Sequence, residues 1–241
     1  MADFPKTLDE AIAQAVVATQ AAIAAGYRRL SVELALPELK PLPVAYQYLP
    51  ALEAYGDGLK VFFSDAGTAA LVKRDWADLT LRTKSVDVAG ARQTSTVEEL
   101  VEPADQAFLF VAPTAVEVQV VEQICNAVGD LPVILFCPRL EDVGTVGIGY
   151  TARQMRSRFL STIEPCYYLR PLSGAALLRN YPSPWQIWEE READYSLLAE
   201  EPLRPSGERI DEILIKSSIP QAGSKNTIFS GLQRFLKALG Q

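Results

Sequence analysis

The 241-residue sequence contains no histidine, and this absence excludes several catalytic arrangements. A Ser-His-Asp triad and a Cys-His pair both require an imidazole as the general base. Histidine is also a frequent zinc ligand. Acid–base chemistry in this chain would use Asp, Glu, Lys, Tyr or Cys side chains instead. We expect no catalytic residues, no metal site and no cofactor.

Cysteine is scarce, with only Cys125, Cys137 and Cys166. No two of them have C-x-x-C spacing, and an odd number cannot form a closed set of disulfides. Cys125 falls in a helical pattern and Cys137 in an apolar strand. We interpret the cysteines as small buried side chains in a reducing compartment rather than as redox groups.

Long apolar runs and an excess of positive charge are also absent. No segment approaches the roughly 18 apolar residues of a membrane span, and the N-terminus MADFPKTLDE does not resemble a signal peptide. We therefore expect a cytoplasmic protein that is soluble or attached peripherally to a membrane. The net charge is −7, and because affinity for nucleic-acid phosphates comes mostly from Lys and Arg, we expect no nucleic-acid partner.

Short apolar segments alternate with helical patterns over the first two thirds of the chain. The strand-like segments are LSVELAL (30–36), LKVFFSD (59–65), LTLRTKSVDV (79–88), QAFLFVAP (106–113) and LPVILFCP (131–138). Short, nearly all-apolar strands between helices are typical of a sheet that is covered on both faces. The sequence therefore predicts an α/β fold with a doubly wound, mostly parallel sheet.

The pattern changes after Pro165. Four short strand-like runs follow, at 166–172, 175–181, 185–190 and 195–201, and they predict an antiparallel meander. Trp185 and Trp188 should point to opposite faces of their strand, so that either one is exposed or both are partly buried under loops. We predict a single α/β domain over residues 1–216, a linker over 217–226 and a C-terminal amphipathic helix over 227–241.

Gly144, Gly147 and Gly149 follow an apolar strand and precede a helix, which is a suitable context for a phosphate-binding loop. Their spacing matches neither G-x-G-x-x-G nor the P-loop motif, and the loop contains no lysine. Two interpretations remain open: an anion site, and a long loop whose glycines supply unusual backbone angles.

The helix after this loop carries Arg156 on an apolar face with Met155 and Phe159. An unpaired buried charge is costly, so Arg156 should bind a carboxylate or face a polar groove. Asp65, Glu141 and Asp142 are the candidate partners, because all three should lie at the carboxyl edge of the sheet, where doubly wound folds bind ligands. An internal salt bridge and a bound anion both fit.

Charge is unevenly distributed in the second half of the chain. Five arginines and only one acidic residue, Glu164, lie between Arg153 and Arg179, whereas the segment from Glu189 to Glu212 is strongly acidic. Oppositely charged patches of this kind suit electrostatic selection of a partner. Charged side chains that simply face water would give the same distribution of charge along the sequence. The predicted partner- or anion-binding residues are Asp65, Gly67, Glu141, Asp142, Gly144, Arg153, Arg156, Arg158 and Arg170.

The C-terminal segment is strongly amphipathic. Its apolar side consists of Ile228, Leu232, Phe235, Leu236 and Leu239. This helix could dock in a groove of a partner protein, lie on an anionic membrane surface or pack on its own domain.

Four segments together resemble one family. They are SDAGTAALVKRDW (64–76), PVILFCPRLEDVGTVGIG (132–149), RSRFLSTIEPCYYLRPL (156–172) and RNYPSPWQIW (179–188). The family is the domain of unknown function nineteen-ninety-five of cyanobacteria and chloroplasts. The resemblance extends from about residue 5 to residue 216 and does not include the terminal helix.

The resemblance implies a setting rather than a mechanism. Similar domains occur in low-photosystem-II-accumulation proteins and behind a chloroplast adenylate kinase domain. This chain has neither a kinase domain nor a P-loop, so no kinase activity is implied. The family has no established catalytic residues to transfer.

The leading hypothesis is a non-enzymatic accessory factor that binds photosystem or other thylakoid protein subunits, on the cytoplasmic face of the thylakoid membrane, during photosystem assembly or repair. The alternative is a regulatory α/β domain that binds a nucleotide or phosphate ligand at Asp65, Gly67, Glu141, Gly144 and Arg153. A third hypothesis is a hydrolase or transferase with a carboxylate or tyrosine as its acid–base group.

Overall fold

A computed structural model describes residues 3–76, 81–86, 96–140, 150–191 and 194–217 of the chain. Nine strands form one mixed sheet at its centre. The strands are β1 (Arg29–Leu34), β2 (Leu59–Phe63), β3 (Arg82–Ser85), β4 (Ala107–Val111), β5 (Val133–Phe136), β6 (Glu164–Leu172), β7 (Ala175–Asn180), β8 (Trp185–Arg191) and β9 (Asp194–Glu201).

Helices connect and cover these strands. They are α1 (Leu8–Ala24), α2 (Pro41–Tyr48), α3 (Ala66–Asp75), α4 (Val97–Leu100), α5 (Val118–Ala127), α6 (Tyr150–Arg158) and α7 (Gly207–Ser217). Two 3₁₀ segments, Leu49–Gly58 and Leu160–Thr162, follow α2 and α6.

The strand order is β3-β2-β4-β5-β1-β6-β7-β8-β9. Pairing is parallel from β3 to β6 and antiparallel from β6 to β9. The predicted mostly parallel sheet and C-terminal meander are therefore confirmed. The first strand of the chain, β1, lies in the interior of the sheet, between β5 and β6.

Local sequence signals explain where several helices begin and end. Thr7 caps α1, since its hydroxyl accepts a hydrogen bond from the Glu10 amide at 3.1 Å. Gly26 follows the end of α1 with a φ of +97°, which favours glycine. Pro50 lacks an amide hydrogen, and the regular helix α2 ends just before it, at Tyr48.

The helices cover two faces of the sheet. On the first face, α1, α2, the segment Leu49–Gly58 and α3 pack on alternate residues of the parallel strands. On the second face, α4, α5 and α6 cover one cluster, and α7 covers a smaller cluster on the meander. The two second-face clusters are separate, so the helical layer is interrupted between α6 and α7.

The two tryptophans of β8 lie on opposite faces, as their spacing predicts. Trp188 belongs to the first-face core, and Trp185 belongs to the cluster under α7. Their exposed fractions are only 7 % and 4 %. Of the two alternatives, the one with an exposed tryptophan is therefore wrong, because the N-terminal segment and α7 each cover one face.

The C-terminal predictions lie mostly outside the described residues. Ser217, where the predicted linker begins, is the last residue of α7. The rest of the linker and the amphipathic helix 227–241 are not among the described residues. Within those that are, none of the helices has the length and apolar character needed to cross a membrane.

Candidate functional site

The carboxyl ends of β5 and β1 form a crevice. After β1 the chain passes to α2 on the first face, whereas after β5 it passes to α6 on the second face. The two strands are neighbours and parallel. Loops that leave adjacent parallel strands toward opposite faces separate from each other, and in open α/β sheets this is where ligands bind.

Unusual backbone conformations mark the same edge of the sheet. Glu38, Ala112 and Cys137 have φ values of 60°, 50° and 49°, and they follow β1, β4 and β5, three neighbouring strands. Non-glycine residues in this region carry strain of about 1–3 kcal/mol and occur often at functional sites. Ala112 and Cys137 are held by amide hydrogen bonds of 2.8 and 2.7 Å to the carbonyls of Phe136 and Val32.

A cleft of about 360 Å³ opens beside this crevice on the second face. It lies where the helical layer is interrupted, between the segment Leu160–Thr162 and the loop before α7. The cleft is lined by Ser31, Glu33, Leu135, Pro138, Arg139, Leu140, Leu160, Ile163, Pro165 and Arg204.

The floor of the cleft is polar because of the residues of β1. Leu30, Val32 and Leu34 face the first-face core, so Ser31 and Glu33 face the opposite side. The buried Ser31 hydroxyl donates a hydrogen bond of 3.3 Å to Oε1 of Glu33. A strand in the sheet interior thus presents a hydroxyl and a carboxylate to the cleft instead of packing against a helix.

Arg204 is oriented by aromatic rings. Its guanidinium carbon lies 4.4 Å from the ring centroid of Tyr168 and 5.5 Å from that of Trp185. Its Nη2 also donates a hydrogen bond of 2.8 Å to the Tyr168 hydroxyl. These contacts restrict the side chain without adding a negative charge beside it.

Arg139 is the second arginine of the cleft. Its amide donates a hydrogen bond of 2.7 Å to the carbonyl of Pro113, and this bond ties the loop after β5 to the loop after β4. Its side chain is exposed. Within the described parts of the chain, neither Arg139 nor Arg204 forms a salt bridge with a carboxylate.

The structure gives Asp65 a local role. It is the N-cap of α3, and its carboxylate accepts hydrogen bonds of 2.8 Å from the Thr68 amide and 2.7 Å from the Thr68 hydroxyl. The bond from the hydroxyl, followed by that from the amide, lowers the pKa of Asp65 below its usual value. Gly67 lies in the same turn, and a Cβ there would be 3.0 Å from Oδ1 of Asp65. This turn follows β2, which β4 separates from the β5–β1 crevice.

The predicted arginines occupy different environments. Arg158 of α6 forms two hydrogen bonds, of 2.7 and 2.8 Å, with Glu122 of α5, and this pairing raises its pKa. Arg156 is half-buried, while Arg153 and Arg170 are exposed. The other predicted residues of this group, Glu141, Asp142 and Gly144, lie outside the described residues. None of the predicted residues that the structure describes lines the cleft.

A buried ion-pair cluster, which the sequence analysis missed, lies near the amino end of β2. The Lys60 ammonium lies 2.8 Å from Oδ2 of Asp105 and 2.9 Å from Oε1 of Glu102, and it also donates a hydrogen bond to the Leu100 carbonyl. Arg82 pairs with both acids. Each charge therefore has opposite charges as neighbours, which is the arrangement of a structural network.

The three thiols are protonated near neutral pH. Burial raises the pKa of Cys125 to about 12, and it raises those of Cys137 and Cys166 to about 11. Cys125 and Cys166 are buried, as predicted, while Cys137 is half-buried. A protonated thiol is a poor nucleophile and a poor metal ligand. Among the described residues, no group of three or more Cys, Asp or Glu side chains could hold a metal ion.

Two other cavities, of about 360 and 570 Å³, lie on the first face on either side of Tyr46. Their linings are mostly apolar and include Leu81 and Trp76, the residues that flank 77–80. The cleft on the second face differs from both in its polar lining, which includes Glu33, Arg139 and Arg204.

One signal in the sequence pointed to the cleft. The alternation of Ser31 and Glu33 with Leu30, Val32 and Leu34 identified a strand, but it also indicated that one face of that strand is not covered by apolar side chains. Arg139 and Arg204 carried no comparable signal, because their approach to β1 depends on the order of the strands.

A family model described as a domain of unknown function (DUF1995) matches residues 5–212. The match includes both halves of the sheet and every residue of the cleft. It confirms the family resemblance that the four sequence segments indicated. No solved structure matches the chain.

Proposed function

The chain belongs to the DUF1995 family, and on this premise we propose that it is a non-enzymatic accessory factor that binds photosystem or other thylakoid protein subunits. It would act in photosystem assembly or repair, on the cytoplasmic face of the thylakoid membrane and in peripheral contact with it. Nucleic acid is not among the proposed partners, because the chain is acidic overall.

The observation that carries this proposal is a pair of exposed arginines on the second face of an acidic protein. Arg153 and Arg170 are exposed, and neither forms an ion pair with a described residue. Arg153 lies on α6, which covers the second face. Arg170 lies two residues after Tyr168 on β6, so it points to the same face as Tyr168. Exposed arginines on an otherwise negative chain favour the approach of an acidic protein surface.

Several ionisable side chains have structural roles in the described parts of the chain, which supports a binding protein. Asp65 caps α3, and Lys60 and Asp105 neutralise each other. The buried Glu117 carboxylate accepts hydrogen bonds of 2.7 and 2.6 Å from the amide and hydroxyl of Thr114. These groups are already engaged in holding helices and loops.

The test is affinity isolation from solubilised thylakoid membranes with the full-length chain as bait. We expect the unaltered chain to recover photosystem subunits at low salt, and we expect the double variant Arg153→Glu/Arg170→Glu to recover at least about tenfold less, because attraction becomes repulsion. A chain without residues 227–241 tests the predicted contact of the terminal helix in the same assay.

The matched control is Arg74→Glu/Arg191→Glu, which makes the same change in net charge at exposed arginines that already pair with Asp75 and Glu189. This control variant should recover as much photosystem protein as the unaltered chain does. Failure of the unaltered chain to recover any photosystem subunit would contradict the accessory function. Equal losses in the two double variants would show that net charge, and not the surface containing Arg153 and Arg170, determines binding.

A further inference from the structure

We propose that the cleft binds a small organic anion, with a carboxylate or phosphate group at the two arginines and an apolar body between the hydrophobic walls. This inference is independent of the accessory function, because it concerns a different set of residues. It rests on the charge, the preorganisation and the shape of the cleft.

The charge of the lining favours an anion. Arg139 and Arg204 contribute two positive charges, and Glu33 contributes one negative charge. Because no described carboxylate forms a salt bridge with either arginine, their guanidinium groups retain donors for a ligand. A guanidinium binds a carboxylate or a phosphate through two parallel hydrogen bonds, which a neutral ligand cannot match.

Arg204 is preorganised for this role. Arginines are commonly held in place by an acidic side chain, which also neutralises them. Here the Tyr168 ring, at 4.4 Å, and the Tyr168 hydroxyl, at 2.8 Å, restrict the side chain while its positive charge remains available. Since less side-chain entropy is lost on binding, a fixed arginine binds an anion more tightly than a mobile one.

The shape of the cleft determines the rest of the ligand. A volume of about 360 Å³ falls within the usual range of small-molecule sites. Leu135, Leu140, Leu160 and Ile163 provide apolar walls. Glu33 on the floor repels a second negative charge, so the anionic group lies at the arginines and the apolar body occupies the space between the walls.

The position of the cleft fits a binding site. It adjoins the β5–β1 crevice, and the strained residue Cys137 directly precedes Pro138 and Arg139 in its lining. This strained turn directs the chain away from β5, and the hydrogen bond from the Arg139 amide to the Pro113 carbonyl fixes where the Arg139 side chain begins.

The experiment is isothermal titration of the full-length chain with four probes: phenylacetate, phenyl phosphate, the neutral phenylacetamide and inorganic phosphate. The first three share an aromatic body and differ in the charged group. We expect at least one of the two organic anions to bind about tenfold or more tightly than phenylacetamide, and we expect inorganic phosphate to bind more weakly than phenyl phosphate. The better organic anion identifies the preferred group.

Two variants locate the site. Arg204→Gln and Arg139→Gln should each weaken binding of that anion about tenfold, since each removes a charged donor pair. Both side chains are exposed, so neither substitution threatens the core. Arg191→Gln removes an exposed arginine that does not line the cleft and should leave the affinity unchanged.

Three results would overturn the inference. The first is equal affinity for phenylacetamide and both anions, the second is unchanged affinity in both the Arg139 and the Arg204 variants, and the third is no binding of any probe. None of these results would affect the proposed recovery of photosystem subunits, so the two proposals fail separately.

Discussion

Lys60 and Asp105 carry opposite charges on side chains that are almost fully buried, with 1 % and 0 % exposure. Two buried charges are tolerated when they neutralise each other and their remaining hydrogen-bonding capacity is used. Asp105 satisfies this condition by accepting hydrogen bonds from Arg82 and from the Glu102 amide as well. The loop that precedes β4 is therefore held to β2 through one carboxylate.

Replacing this carboxylate should be strongly destabilising. We expect Asp105→Ala to lower the free energy of unfolding by about 3–5 kcal/mol, because Lys60 loses one of its two carboxylate partners in a buried position. Urea denaturation followed by circular dichroism measures the change.

The control for this prediction is Asp75→Ala, which removes the partner of Arg74 at an exposed salt bridge. It should have little effect on stability, since exposed ion pairs contribute little. If the two variants were equally stable, the buried ion-pair cluster would not hold the loop to β2.

At the scale of secondary-structure elements, Asp65 caps α3, and its role in ligand binding stays a prediction. Asp65 lies at the carboxyl end of a strand, where ligands often bind, but it also stands three residues before Thr68 at a helix start. Both of its carboxylate oxygens accept hydrogen bonds from Thr68. The sequence contains both signals, and the local one explains the observed contacts.

We predict that Asp65→Ala destabilises the protein by about 1 kcal/mol at pH 7. The hydrogen bonds from Thr68 lower the folded-state pKa of Asp65 below its unfolded value. Its contribution is therefore present above the unfolded pKa, near 4, and is lost as the pH falls through the lower folded-state pKa. The free energies of unfolding of the unaltered protein and the Asp65→Ala variant, measured between pH 7 and pH 2, should become equal at the acidic end.

Asp65→Asn is the matched variant, because asparagine is also a good N-cap. It should retain most of the stability at pH 7. If the Asn variant were as unstable as the Ala variant, the effect would not come from the cap. The same conclusion would follow if the Ala variant and the unaltered protein still differed in stability at pH 2.

The elements themselves followed from local patterns, whereas the cleft did not. Apolar runs bounded by turn residues predicted most of the strands, whereas β3 (Arg82–Ser85) has a polar sequence. The cleft joins Ser31 and Glu33 to Arg139 and Arg204, which are more than 100 residues later in the chain. No local periodicity specifies that β1 lies between β5 and β6, so this grouping required the three-dimensional structure.

At the scale of the whole molecule, the N-terminal segment joins α1 to the antiparallel end of the sheet. Phe4 is buried, with its ring centroid 3.9 Å from that of Tyr195 on β9 and 5.5 Å from that of Trp188 on β8. The Lys6 ammonium lies 3.1 Å from Oδ1 of Asp194. Residues from the two ends of the described chain therefore share one aromatic cluster.

We expect Phe4→Ala to lower the free energy of unfolding by about 3 kcal/mol, because it leaves a cavity beside two aromatic rings. Exposure of Trp188 should shift the emission maximum of tryptophan fluorescence to longer wavelength. Thermal and urea denaturation measure the loss of stability, and fluorescence of the folded variant measures the exposure.

The comparison for Phe4 is Phe4→Leu, which keeps much of the apolar volume and should lose less stability. Unchanged stability and unchanged emission in the Ala variant would show that the N-terminal segment does not stabilise the meander.

The interior position of β1 has a consequence for synthesis on the ribosome. Residues 29–34 emerge early, but their backbone partners are in β5 and in β6, which ends at Leu172. During translation of the intervening residues, both edges of this strand are hydrogen-bonded to water and open to pairing with other chains. Ser31 and Glu33 make this strand less apolar, and we expect these two polar residues to lower its tendency to pair with other chains until β5 and β6 have been synthesised.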